Sequence, residues 1–205
     1  GKYTVAVERS GWCWDGESAQ QANVGKEDTT RMVFKQGGYQ ASITSSHEVE
    51  VSATPSAGGG APEVLSLSKG KNSVCLSSSS EYKVDAHECL RFKKPTTFNA
   101  ATPLSLVAAE GKVRVRVTAP SALPSLALTT TTTDKPVKPG KGKAKDGATV
   151  YEMSHWVALG GSSIVAPEAP GSGLLFTPPS AEVRPGGAKG CSKVAADFKT
   201  VGGAS

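Results

Sequence analysis

Residues Lys112–Val117 read KVRVRV, valine alternating with a basic side chain. In an extended chain successive side chains point to opposite faces, so Val113, Val115 and Val117 line one face and Arg114 and Arg116 the other. The segment is therefore a strand with one face in a core. Shorter runs repeat the same period: Tyr3, Val5 and Val7; Tyr39, Ala41 and Ile43; Val49, Val51 and Ala53; Leu65 and Leu67; Leu104 and Leu106. Turn residues separate them roughly every 8–14 positions, and about eight or nine short strands so spaced predict an all-β fold. The expected architecture is an antiparallel β-sandwich of galectin-like or jelly-roll-like type. Two segments read less regularly: Glu17–Val24 as a short helical turn, and Arg31–Phe34 as the opening of a second strand.

Composition limits how much of the chain such a sandwich can occupy. Aromatic residues make up only 6% of the 205 residues, against 23 glycines and 13 prolines. That supply of large apolar side chains suits a domain smaller than the chain. The expected division is a β-sandwich over 1–128, a flexible Thr/Lys/Pro/Gly-rich linker over 129–147, and an extended C-terminal arm over 148–205. The linker holds the threonine run Thr129–Thr133 and the tract DKPVKPGKGKAKD, with five lysines between Asp134 and Asp146. A polar, self-repelling stretch of this kind cannot bury a core of its own. The net charge of +5 is concentrated there. With no aromatic between the lysines for bases to stack on, no nucleic-acid partner is expected. In the arm, Tyr151, Met153, His155, Val157 and Leu159 share one face of a period-two run, with Trp156 on the other. One apolar cluster follows at Leu174, Leu175 and Phe176. A strand of the arm can augment a sheet edge, its own or a partner's, so Tyr151, Met153, His155, Trp156, Leu174, Leu175 and Phe176 are the candidate partner contacts.

The four cysteines, Cys13, Cys75, Cys89 and Cys191, contain no Cys-x-x-Cys pair. This argues against a zinc ribbon or a thioredoxin-like couple. An even count allows two disulfides in three connectivities, and four free thiols in a reducing compartment are the other reading. The favoured pairing is Cys75–Cys89, across neighbouring strands, with Cys13–Cys191 tying the tail to the start. The Ser/Thr/Gly/Pro-rich makeup favours a secretory compartment. The chain opens GKYTVAVERS, without an apolar signal core, as expected of a mature chain whose targeting segment has been removed or of a cytosolic one. No apolar run reaches the length of a membrane-spanning helix, so no direct membrane insertion is expected.

No catalytic pattern stands out. Gly171-Ser172-Gly173 lacks the nucleophile-elbow spacing, and Gly140-Lys141-Gly142-Lys143 lacks that of a phosphate loop. His47 lies in a polar turn, His155 on an apolar strand face, and His87 in Asp85-Ala86-His87-Glu88-Cys89, whose donors are adjacent rather than at metal-ligand spacing. Neither a metal nor a cofactor nor an enzymatic activity is expected. Trp12, Trp14 and Asp15 are the candidate glycan-binding residues: two indoles on one strand face can stack a sugar ring while the carboxylate takes its hydroxyls.

A layout of this kind resembles a known family. A cysteine-poor sandwich bearing Trp12-Cys13-Trp14, paired Cys75 and Cys89, the insertions AGGGAP, SSSS and TTTTT, and a lone terminal cysteine is similar to secreted accessory proteins of apicomplexan micronemes. Among these it looks like the galectin-like partner subunit of a thrombospondin-repeat adhesin. The resemblance implies a non-enzymatic, secreted subunit. It would bind an adhesin-type repeat of a secreted or membrane-anchored protein and support its trafficking, adhesion or role in host-cell invasion. The sugar-binding constellation of galectins is not recognisable, so lectin activity is not carried over with the fold. The alternative expectation is a carbohydrate-binding module.

Overall fold

The computed structural model describes residues 1–25, 32–188 and 190–201 of the chain. It is all-β, largely antiparallel, and built of β-sandwich layers. The described residues form two compact units, Gly1–Asp85 with Lys93–Val107, and Ala86–Phe92 with Ala108–Ser205.

In the first unit, β1 (Lys2–Ala6) and β3 (Ala19–Asn23) form a two-stranded antiparallel ribbon, with β2 (Trp12–Asp15) between them in sequence. The central strand of one sheet is β4 (Lys35–Ser45). The second sheet is built on β5 (Val49–Pro55) and β6 (Glu63–Leu67). Next come β7 (Gly70–Leu76), which pairs with β4, and β8 (Tyr82–Val84), which pairs with β5. The chain then gives β9 (Leu90–Phe92) to the second unit. It returns with β10 (Thr97–Phe98) beside β8 and β11 (Leu104–Leu106) parallel to the end of β4. The strands alternate as a half-buried sheet must. Ile43, Leu76, Leu104 and Leu106 of one sheet are buried, as are Val51, Leu65, Leu67, Tyr82 and Phe98 of the other. At the rim Glu63 accepts hydrogen bonds from the Tyr82 hydroxyl (2.6 Å) and from the Ser77 hydroxyl (2.6 Å). Burial raises the Glu63 carboxyl, and these donors outweigh it and hold the group below its usual range.

The second unit is organised by β12 (Ala108–Ala119), which contains the KVRVRV run. One sheet adds β13 (Ala127–Thr130), β14 (Thr133–Val137), β17 (Ser163–Glu168) and β19 (Ala181–Val183), in the order β14-β13-β17-β19. The other adds β15 (Lys143–Lys145), β16 (Ala148–Ala158), β18 (Leu175–Thr177) and β20 (Val194–Val201), in the order β15-β16-β12-β20-β18. The short β9 pairs with the first residues of β12. Val113, Val115 and Val117 of β12, Tyr151 and Met153 of β16, and Phe198 of β20 pack with Leu128, Val165 and Val183 of the facing sheet in one core. The basic residues of β12 face outward, as the alternation requires.

Three expectations change. The boundary at Leu128 falls inside β13, so residues 1–128 are not one sandwich. The expected linker, 129–147, is strand-bearing: it holds the end of β13, then β14 and β15. Threonine is β-branched and favours extended backbone, which composition alone does not convey. The expected arm, 148–205, supplies β16 to β20 and much of a core. In addition, Ala19–Asn23 is a strand rather than a helical turn. Arg31 lies outside the described residues, and the strand expected there begins at Lys35.

Candidate functional site

Each unit carries one of the sequence-derived candidate regions. In the first, β2 pairs with β4 as Trp12↔Tyr39, Cys13↔Gly38 and Trp14↔Gln36, with an irregularity between Cys13 and Trp14. A side chain at Gly37 would lie 2.9 Å from the Asp15 nitrogen, so the irregularity needs glycine there. The indoles of Trp12 and Trp14 sit together, ring centroids 5.8 Å apart, and Trp14 meets Phe34 edge-on at 6.4 Å. The Arg9 guanidinium lies 3.9 Å from the centroid of Trp12. The shared face expected for the two tryptophans is therefore present, with Asp15 exposed at its end. One face of Trp12 is already covered by Arg9, which must swing away before a sugar ring can stack there.

Both disulfides form, in a pairing other than the expected one. Cys13 bridges Cys75 and Cys89 bridges Cys191, with Cα–Cα distances of 6.0 and 5.3 Å. Cys75 and Cys89 are close in sequence but belong to different units. Gly38 lies beneath the first bridge: a Cβ there would lie 3.0 Å from the Cys75 sulfur and run into the Leu76 carbonyl. Two disulfides fit an oxidising compartment, lumenal or extracellular.

In the second unit the expected partner face turns inward. Tyr151, Met153 and His155 are buried, because the apolar face of β16 lies against the other sheet. They are core residues and are corrected as partner contacts. Trp156 points the other way and is half-buried, with the Arg91 guanidinium 4.2 Å and the Lys112 ammonium 5.4 Å from its centroid. Arg91 is also paired with Glu110 at 3.2 Å. Phe176 packs on the core, Leu174 is half-buried, and Leu175 is 66% exposed on the edge strand β18. Of the seven candidate contacts, Leu175 is the one that is exposed.

The histidines are structural in their settings. His155 Nε2 hydrogen-bonds the Thr132 hydroxyl, which is also 3.3 Å from that of Ser163. His155 and Ser163 are only 4% and 2% exposed, sealed in the core rather than open to a substrate. His87 Nδ1 accepts the backbone N–H groups of Cys89 (3.0 Å) and Leu90 (3.1 Å), so its proton sits on Nε2. Burial lowers His155, with Glu110 opposing it weakly. Burial also lowers His87, Glu88 opposing and Lys112 adding to it. Both folded values lie below the usual histidine value near 6.5, so the unfolded chain binds more protons in acid. Stability from these two groups is complete above about pH 6.5 and is lost as pH falls through the folded values. The second unit is therefore expected to show a lower urea midpoint at pH 5 than at pH 7, followed by the fluorescence of Trp156 in a Trp12→Phe/Trp14→Phe background. A His87→Gln/His155→Gln chain should give a flatter profile over that interval. The depressed Glu63 acts in the same direction, but only below about pH 4.3, where unfolded glutamates take up protons.

The fold and its bridges define a class: a disulfide-bonded, all-β protein of sandwich units with broad polar faces. Comparison with known proteins narrows it. Residues 40–112 match the family model described as the NOMO Ig-like domain. The mouse protein named BOS complex subunit NOMO1 is 25% identical over 233 positions, covering 89% of this chain and 19% of that protein. Human BOS complex subunits NOMO3 and NOMO2 are each 32% identical over 106 positions, covering 50% of this chain and 8% of theirs. The chain thus spans a fifth or less of the length of these relatives. No solved structure matches it. These similarities overturn the resemblance to a microneme adhesin partner. That resemblance rests on cysteine layout and low-complexity insertions, features that unrelated chains share.

Proposed function

We propose that the chain is an Ig-like segment of a NOMO-type subunit, serving as a non-enzymatic accessory part of a protein assembly in an oxidising compartment. The observation that carries this reading is the match of residues 40–112 to the NOMO Ig-like model. The similarity to BOS complex subunits along most of the chain supports it, and so does the burial of His155 in the core of the second unit. The partner class is another protein. No part of the adhesin, microneme or invasion reading is retained.

Affinity capture of the full-length parent protein from gently solubilised cells tests the reading. Stoichiometric recovery with the subunits of a BOS complex is the expected result. Recovery as a lone monomer would overturn it. The alternative, carbohydrate binding at Trp12, Trp14 and Asp15, rests on the paired indoles beside an exposed carboxylate. A glycan-array signal abolished by Trp14→Ala would favour it instead.

A further inference from the structure

The lysine tract becomes part of a built surface once folded. Lys143–Lys145 form β15, paired with β16 as Lys143↔Val150, Ala144↔Thr149 and Lys145↔Ala148. Asp146 and Gly147, both at positive φ (50° and 77°), close the hairpin as a two-residue Asp-Gly turn. Upstream, the chain is pinned at Gly142, where a Cβ would lie 2.5 Å from a Thr149 methyl and 2.8 Å from the Tyr151 ring. Backbone, not side chain, packs on that buried tyrosine, so the strand's position over the sheet is fixed. Between this hairpin and the outer face of β12 and β20 lies a cavity of about 720 Å³, lined by Lys141, Lys143, Lys145, Arg116, Glu152 and Asp197 among others. That is within the size range of ligand sites.

We propose that this groove docks an extended, acidic segment of a partner protein, with the three lysines and Arg116 receiving its carboxylates. Lys141, Lys143 and Lys145 form no ion pair among the described residues. Arg116 holds Glu152 at 3.5 Å and Asp197 at 3.9 Å, long exposed contacts that a closer bidentate carboxylate can replace. The groove gathers four cations, Lys141, Lys143, Lys145 and Arg116, against three carboxylates, Asp146, Glu152 and Asp197, two of which lie beside Arg116, so the lysine side keeps an excess of positive charge. Lysine on an edge strand also discourages unwanted pairing, a role that has no need of a cavity. The free edge of β15, outermost in its sheet, offers backbone groups to an extended chain. An anionic membrane fits less well, because a flat surface cannot follow the groove to Arg116.

The inference stands on the groove alone, and a binary assay separates it from the assembly reading. The oxidised 205-residue chain is titrated into a fluorescein-labelled nonapeptide of alternating Glu and Thr, at low salt, with anisotropy as the readout. The expected result is saturable, salt-sensitive binding that is absent with a Gln-Thr peptide. The Lys141→Gln/Lys143→Gln/Lys145→Gln chain should bind at least about tenfold more weakly. The Lys69→Gln/Lys71→Gln chain should bind as the unaltered one. Amide shifts of Lys143–Gly147 should move with the peptide, which locates the site without relying on a variant. Equal binding of the Gln-Thr peptide, or equal loss in both lysine variants, would overturn the proposal. So would capture by phosphatidylserine vesicles that the peptide fails to displace, which would assign the groove to membrane.

Discussion

Replacing Cys89 and Cys191 together by serine is expected to lower the stability of the second unit by about 4–5 kcal/mol, the loss of unfolded-state constraint for a loop near 100 residues. The bridge closes 102 residues of sequence, and each of its ends adjoins a strand that pairs with β12. Cys89 directly precedes β9, which pairs with β12 at Ala108–Gly111, and its carbonyl accepts the Lys112 N–H at 2.9 Å. Cys191 is buried in the short 3-10 turn that leads into β20, which pairs with β12 from Arg114 to Thr118. Cutting the link frees the segments around Cys89 and Cys191 from each other in the unfolded ensemble, so bringing both to β12 costs more entropy. A typical domain has only about 5–15 kcal/mol to lose. The urea midpoint of the second unit should therefore fall sharply, while that of the first is held by Cys13–Cys75. Non-reducing peptide mapping should return Cys13 joined to Cys75 and Cys89 joined to Cys191. An unchanged midpoint in the double variant, or a Cys75–Cys89 peptide, would contradict the assignment.

The disulfide pairing shows where sequence stops informing. An even number of cysteines and the Ser/Thr/Gly/Pro-rich composition favour pairing of all four, and the structure pairs them. Which pairs form depends on where the chain crosses between units, at Asp85, and no local pattern marks that point. Strand existence was far more legible. The valines of KVRVRV, Val49 to Ala53 and Tyr151 to Val157 all alternate in burial as the period-two pattern predicts. Periodicity says that one face is covered, though not by what. The face of Tyr151, Met153 and His155 was read as a partner contact because the opposing sheet was not visible in the sequence. That sheet is built in part from the threonine run, whose polarity reads as linker, together with Ser163–Glu168. The lysine tract was likewise read by its composition, yet Asp146-Gly147 is a strong short-range hairpin signal and marks β15 and β16 directly. Of the candidate site, the Trp12–Trp14 pair was legible. The clamp of Arg91 and Lys112 on Trp156 was not, because Arg91 reaches it from a strand distant in sequence.

The change that most directly separates a folded second unit from an extended arm is Phe198→Ala. Phe198 is fully buried, stands opposite Val117 in the parallel pairing of β20 with β12, and packs in the core with residues of the facing sheet. Removing the ring deletes its transfer free energy and leaves a cavity that a two-sheet core closes only in part, a loss of about 3–5 kcal/mol. An arm held only by a partner would show no such loss in the isolated chain. Leu175→Ala supplies the control: Leu175 is just as apolar and lies in the same expected arm, but it is 66% exposed on the edge strand. Its replacement should change stability by no more than about 0.5 kcal/mol, as surface positions generally do. Urea unfolding of the isolated chain should therefore show a large drop in midpoint for the first variant and almost none for the second. Equal midpoints for both would mean that the residues after Ala148 do not build a core, and the two-unit description would fall with them.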